Sequence, residues 1–164
     1  MNKQLTAQLP LVLAIDTSCD ETSVAITLEK VVLANVIASQ AQIHQPYGGV
    51  FPTLAKQAHR ENIEPTIKKA LAQAGVSPKM LDAVAVTVGP GLAPALEVGI
   101  EYADKFAKEW NKPLLEINHL EAHLLSVLAE QKKRELPIKK VIGYKKNQKE
   151  IPEKITAEFY LDDD

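Results

Sequence analysis

The chain has 164 residues, 46% of them hydrophobic, enough to bury one ordinary core and too few for two full-sized domains. A formal net charge of −2 shows no global bias toward nucleic acid, although it leaves room for a local basic patch. The single cysteine, Cys19, excludes an internal disulfide, and no apolar stretch approaches the roughly 18 residues needed to cross a bilayer.

The start, Met1-Asn2-Lys3-Gln4, lacks the apolar core of a signal peptide, so the cytoplasm is the expected compartment and no membrane contact is expected. Leu11 to Asp16 is apolar and ends in the polar cluster Thr17-Ser18-Cys19-Asp20. Thr22 to Leu28 alternates, with Val24, Ile26 and Leu28 on one face, and Val31 to Ala38 is a third β-branched run after Glu29-Lys30. Connections this short predict three antiparallel strands. From Pro52 to Ala74 the apolar spacing becomes helical, with Pro65 marking a kink or a junction between two helices and Gly75 a C-terminal stop.

Leu81 to Val88 reads as a buried strand, broken by Gly89-Pro90-Gly91 ahead of a helix from about Pro94 to Trp110. Asn111-Lys112-Pro113 ends that helix, Leu114 to Ile117 makes a fifth strand, and another helix follows. The order predicts an α/β fold, a mixed sheet flanked by helices. Beyond Gln131 the periodic pattern stops. Lysines cluster from Lys132 to Lys149, read as a solvated charged tail ahead of an RNA contact, and Ile138 to Ile142 and Ile155 to Leu161 could form short strands. The expected organisation is an N-terminal extension over 1–10, one lobe over 11–131 and a divergent charged tail over 132–164.

The most specific chemical signal is His119 and His123 in Asn118-His119-Leu120-Glu121-Ala122-His123. If the preceding run is a strand and this segment opens a helix, the two imidazoles project from one face about one turn apart, as two ligands of one metal ion must. Such pairs also occur on ordinary exposed helix faces. Two ligands leave a site incomplete, and Glu121 points off the shared face, so a third Asp, Glu or His has to come from elsewhere. The loop Asp16-Thr17-Ser18-Cys19-Asp20-Glu21-Thr22 offers hydroxyls, amides and carboxylates that could approach a phosphate or a metal-bound nucleotide, or could simply bond their own backbone in a hairpin turn. Gly89-Pro90-Gly91 is either a close-approach loop or a plain turn.

In order and spacing these segments resemble a known family. Ile15-Asp16-Thr17-Ser18-Cys19-Asp20-Glu21-Thr22-Ser23, Ser39-Gln40 with His44 and Tyr47-Gly48-Gly49-Val50, Ala58-His59 with Glu61-Asn62, Val86-Thr87-Val88-Gly89-Pro90-Gly91-Leu92 and the His119 segment are similar to the TsaD/Kae/OSGEP family of tRNA threonylcarbamoyltransferases. The resemblance runs from about Leu11 to Gln131. It implies the first of two similar lobes of an actin-like, RNase H-type ATPase fold. The implied reaction moves threonylcarbamoyl from its adenylate to N6 of the adenosine beside the anticodon, with ATP or the adenylate as ligand. The resemblance further implies a divalent metal, iron or zinc, held by His119 and His123 with an aspartate of the second lobe, and engaging substrate oxygens. It places Asp20 near the reacting centre as a catalytic carboxylate. The implied partners are tRNA, TsaB-like and TsaE-like accessory subunits, and a separate second-lobe chain.

Departures accompany the matches. No Ser-Gly-Gly-His-Thr phosphate loop follows His123, Val88 stands where members usually carry Arg, and the continuation Ala93-Pro94-Ala95-Leu96-Glu97 is unusual. The expected function is therefore a truncated or split transferase. The alternative is a non-catalytic TsaB-like partner subunit, a paralogue that normally lacks the histidine pair. A lobe without its companion is also expected to expose apolar area on the helices at 94–110 and 119–128.

Overall fold

Three strands open the sheet: β1 (Leu11–Asp16), β2 (Glu21–Leu28) and β3 (Val31–Ser39). They form the expected antiparallel meander, β1 pairing with β2 from Leu11↔Leu28 to Asp16↔Ser23. Leu11, Leu13 and Ile15 of β1 and Val24 and Ile26 of β2 are buried on one side, as their alternation requires. Along β2 and β3 the register shifts: Ile26 pairs with Ala34 but Thr27 with Val32. Leu33 is thus an extra residue, a bulge that reverses which face the strand presents, so that Leu33, Ala34 and Val36 are all buried. The computed structural model describes residues 9–131. The strands expected at 138–142 and 155–161, the lysine cluster and the charged tail lie outside the described residues, as does most of the N-terminal extension.

Two right-sized crossovers add parallel strands. The helix α2 (Pro52–Ala74) connects β3 to β4 (Ala83–Gly89), which lies parallel to β1 from Val12↔Ala83 to Ile15↔Val86. The helix α3 (Ala93–Glu109) connects β4 to β5 (Leu114–Asn118), again parallel. A two-residue strand, β6 (Glu130–Gln131), pairs parallel to β3, giving the order β5-β4-β1-β2-β3-β6. This is the mixed α/β sheet expected of an actin-like, RNase H-type lobe. The short helix α1 (Ala41–His44) and the 3-10 turn Gln45–Tyr47 were not expected, being too short to show a period. The fourth strand starts at Ala83 rather than Leu81, because Pro78–Met80 makes a 3-10 turn first. Asp82 then bonds the start of β1 twice, its Oδ2 accepting from the Leu11 amide at 2.8 Å and its own amide donating to the Leu11 carbonyl at 2.7 Å.

Pro65 neither splits α2 nor ends it. A proline inside a helix removes one hydrogen bond at a cost of ~3 kcal/mol. Here that loss is outweighed by the inward face of Ile63, Thr66, Ile67 and Ala70, all buried against the sheet. Gly75 ends the helix in the left-handed region at φ 65°, its amide donating to the Leu71 and Ala72 carbonyls. The two long helices run parallel and are joined by a ladder: Lys56 to Glu97 at 2.8 Å, Arg60 to Glu101 at 2.6 Å and Lys105 to Glu64 at 3.0 Å. Each rung lies one turn beyond the last on both helices, which is possible only for parallel helices in register.

The expected exposure of apolar area is half right. Leu120, Leu124, Leu125, Val127 and Leu128, on the last described helix and the turn after it, are exposed, but no large hydrophobic residue of α3 is. Ala95, Leu96, Val98, Gly99, Ala103 and Ala107 of α3 are buried.

Candidate metal centre and first loop

Because β1, β4 and β5 are parallel, their carboxyl ends meet at one edge of the sheet, where ligands of open α/β sheets bind. Three segments far apart in sequence therefore converge: Asp16 at the end of β1, Thr87 near the end of β4, and His119 immediately after β5. Asn118 does two things at this junction. It ends β5 and caps α4 (His119–Leu125), its side-chain oxygen accepting from the Leu120 amide at 2.9 Å and the Glu121 amide at 3.1 Å. That cap starts the helix at once and turns His119 back onto the strand edge.

The two histidines meet as their spacing predicts. His119 Nε2 and His123 Nε2 are 3.0 Å apart, with the rings edge to face and their centroids at 4.4 Å. Two nitrogens bound at ~2.0–2.1 Å to one ion lie about 2.8–3.4 Å apart for angles between a right angle and a tetrahedral one, so 3.0 Å falls within the spacing of two ligands of one cation. Among the described residues no cluster of three His, Cys, Asp or Glu could hold a metal ion. Glu121 is exposed and off the shared face.

Behind the pair stands Asp16. Its Oδ2 accepts the Thr87 hydroxyl at 2.7 Å and faces His119 Nδ1 at 3.2 Å, while Oδ1 accepts the Ser18 amide at 2.8 Å. Burial alone raises the Asp16 pKa, but the hydrogen bonds from Ser18, Thr87 and His119 together outweigh it and hold the carboxyl below the usual range. Asp16 and Thr87 were not singled out from the sequence. Their signal lay in topology: a carboxylate at the carboxyl end of a strand is a site residue only once its parallel neighbours are known.

The first loop proves to be tied to the rest of the fold rather than only to itself. Thr17, fully buried, donates its hydroxyl to the Ala95 carbonyl at 2.8 Å. The Leu92 amide donates to the Ser18 carbonyl at 2.7 Å, and a Cβ at Gly91 would lie 2.6 Å from that carbonyl oxygen. Gly89-Pro90-Gly91 is therefore a close-approach loop, although what it approaches is the first loop. The fully buried His59 anchors the other side: its Nε2 donates to the Cys19 carbonyl at 3.1 Å, which leaves Nδ1 to accept the Thr22 hydroxyl at 2.8 Å. Burial lowers the His59 pKa, only partly opposed by the Cys19 carbonyl and the charges of Asp16 and Asp20. Cys19 is exposed, and partial burial, then its neighbour Asp20, push its thiol up. Asp20 sits half-buried on this loop, where its carbonyl accepts the Gln40 amide at 3.0 Å. Among the described residues no hydrogen bond joins it to either histidine.

An α/β lobe of this topology, carrying a carboxylate-backed histidine pair at the carboxyl edge of its parallel strands, defines the class. Comparison with known proteins narrows it. The family described as TsaD: tRNA N6-adenosine threonylcarbamoyltransferase matches residues 31–143. Proteins named tRNA N6-adenosine threonylcarbamoyltransferase are similar in sequence: that of Phocaeicola vulgatus is 48% identical over 116 residues, covering 71% of this chain and 34% of the relative. That of Thermomicrobium roseum is 50% identical over 115 residues, covering 70% and 32%. The chain belongs to the TsaD family. It spans about a third of the length of these curated relatives. In fold it is similar to YeaZ from Pseudomonas aeruginosa, with a TM-score of 0.53 at 23% identity over 67% of this chain and 44% of that one. No described helix is long and apolar enough to cross a membrane.

Proposed function

We propose that residues 11–131 are the first lobe of a tRNA N6-adenosine threonylcarbamoyltransferase, working with a second lobe on a separate chain. The observation that carries this reading is the His119–His123 pair, with ring nitrogens 3.0 Å apart, inside the segment that matches the family. A TsaB-like, non-catalytic role leaves that pair without a purpose. His119 and His123 would hold a divalent cation, iron or zinc, and the third ligand would come from the second lobe. Such an ion, when bound, supplies Lewis-acid polarisation of an acyl or phosphoryl oxygen.

The chain's own residues have the remaining work. The N6 amine of adenosine attacks the carbamoyl carbon of the threonylcarbamoyl-adenylate; the N–C bond forms, the bond from that carbon to the phosphate oxygen breaks, and AMP leaves. Asp20 orients the amine and accepts its proton, a task for an ionised carboxylate within reach of the substrate. The first loop can hold Asp20 in place because Thr17, Ser18 and Cys19 are bonded to Ala95, Leu92 and His59. tRNA is the substrate, TsaB-like and TsaE-like subunits are the accessory partners, and the cytoplasm is the compartment.

The test is a tRNA modification assay with threonine, bicarbonate, ATP, the adenylate-forming enzyme and the TsaB-like and TsaE-like subunits, run with the chain alone and with a separately expressed second lobe. Modified adenosine is expected only with the second lobe, and should be lost in His119→Ala, His123→Ala and Asp20→Asn. Absence of product in both arms would refute the split transferase. Full activity of Asp20→Asn would remove that residue from the reaction.

A further inference from the structure

We infer that Asp16 is a positioning residue that fixes the tautomer of His119 and so presets one of the two cation-binding nitrogens. The carboxylate has only acceptors to offer. Its Oδ1 takes the Ser18 amide, and its Oδ2 takes the Thr87 hydroxyl and faces His119 Nδ1. A nitrogen facing an ionised carboxylate at hydrogen-bond distance must carry the proton, so the neutral His119 ring is protonated at Nδ1 and its Nε2 holds a lone pair. That lone pair is left free on the nitrogen that lies 3.0 Å from His123 Nε2. His119 is thus preset for a cation by the groups behind it.

The support behind His119 is built into the sheet, whereas the pair sits on a short exposed helix. Asp16 and Thr87 lie on adjacent parallel strands, one residue beyond the Ile15↔Val86 pair, and the loop after Asp16 is tied down at Thr17 and Ser18. His119 and His123 sit on a helix of seven residues whose other side chains are largely exposed. A partner group behind a ligating imidazole holds the ring and raises its basicity, and removing one typically costs roughly 10–100-fold in metal affinity. The affinity part of this inference rests on the metal reading proposed above. The tautomer part does not.

Asp16→Asn separates the two. The amide oxygen keeps the Ser18 amide as donor, because the reversed orientation would set two N–H groups against each other. The amide nitrogen then replaces Oδ2 and donates to His119 Nδ1, and the ring must carry its proton on Nε2. The experiment uses the full chain, metal-free, at about pH 8, above the ordinary imidazole range. Long-range 1H–15N spectra of four histidines are simple to assign, His119 by its loss in His119→Ala. The wild type is expected to show His119 protonated at Nδ1, Asp16→Asn at Nε2, and Thr87→Val, which keeps the carboxylate, at Nδ1. Zinc titration should then show roughly 10–100-fold weaker binding in Asp16→Asn. Nε2 protonation in the wild type, or an unchanged tautomer in Asp16→Asn, overturns the inference, as does equal zinc affinity despite a switched ring. A switched ring with no zinc bound by either protein, even with the second-lobe chain added to supply the third ligand, supports the control of His119 by Asp16 and overturns the metal reading instead.

Discussion

Gly99→Ala ought to stabilise an ordinary helix by ~0.5–1 kcal/mol, since alanine is the better helix former. In this chain the opposite is expected. A Cβ at position 99 would run into Thr17 Oγ1 and lie 3.4 Å from both Cβ and Cγ2 of Thr17. Thr17 has nowhere to retreat: it is fully buried, and its hydroxyl donates to the Ala95 carbonyl one turn back on the same helix. Overpacking of this kind costs ~1–3 kcal/mol, and a strained or lost buried hydrogen bond adds ~0.5–1.5 kcal/mol. Set against the gain in helix propensity, the net expectation is a destabilisation of roughly 1–3 kcal/mol. Urea denaturation of the wild type, Gly99→Ala, Thr17→Ala and the double variant measures this directly. In the Thr17→Ala background the obstacle is gone, so Gly99→Ala should there be neutral or stabilising, and the coupling between the two sites should be about 1–3 kcal/mol. A Gly99→Ala protein at least as stable as the wild type, or additivity of the two changes, would refute the close contact of α3 with the first loop.

Other expectations follow from single features. His59 is held neutral in the fold, with its pKa below the unfolded value of 6.5, so between those two values the unfolded chain binds the extra proton. Stability should therefore be complete above about pH 6.5 and decline as pH falls through that window, and His59→Gln should flatten this slope in urea titrations; an unchanged slope would assign it to another group. The ladder between α2 and α3 is solvent-exposed, so a double-mutant cycle on Arg60 and Glu101 should give a coupling of ~0.2–1 kcal/mol that shrinks in 1 M salt; a larger, salt-independent coupling would mean that the pair is shielded from water. Leu124 and Val127 are 76% and 77% exposed beside Leu120, Leu125 and Leu128, and a patch of that kind favours association. Sedimentation should show concentration-dependent self-association that Leu124→Lys with Val127→Lys reduces, and a clean monomer at all concentrations would count against it.

The local grammar of the chain was legible without coordinates. Alternation at Val24, Ile26 and Leu28 and the two-residue connection Glu29-Lys30 dictate a hairpin, because side chains of a strand alternate and a connection that short permits only antiparallel pairing. The spacing of His119 and His123 just after the run Leu114 to Ile117 places both rings on one face of a helix that opens there, since that spacing is local physics. Other features depended on what lies far away in sequence. Pro65 reads as a kink or a junction between two helices until the sheet beneath α2 is seen to hold one helix through it. The extra residue at Leu33 cannot be read from β3 by itself, because a bulge is defined by the partner strand. Above all, Asp16 looks like one more polar residue in a turn-prone cluster. Its place behind His119 comes from 103 residues of separation closed by three parallel strands ending at the same edge, and a single strand carries no information about which neighbours it will have. The histidine pair and the elements that carry it follow from spacing along the chain, whereas the carboxylate behind that pair follows from topology, because hydrogen-bond partners across a sheet are set by which strands come to lie side by side.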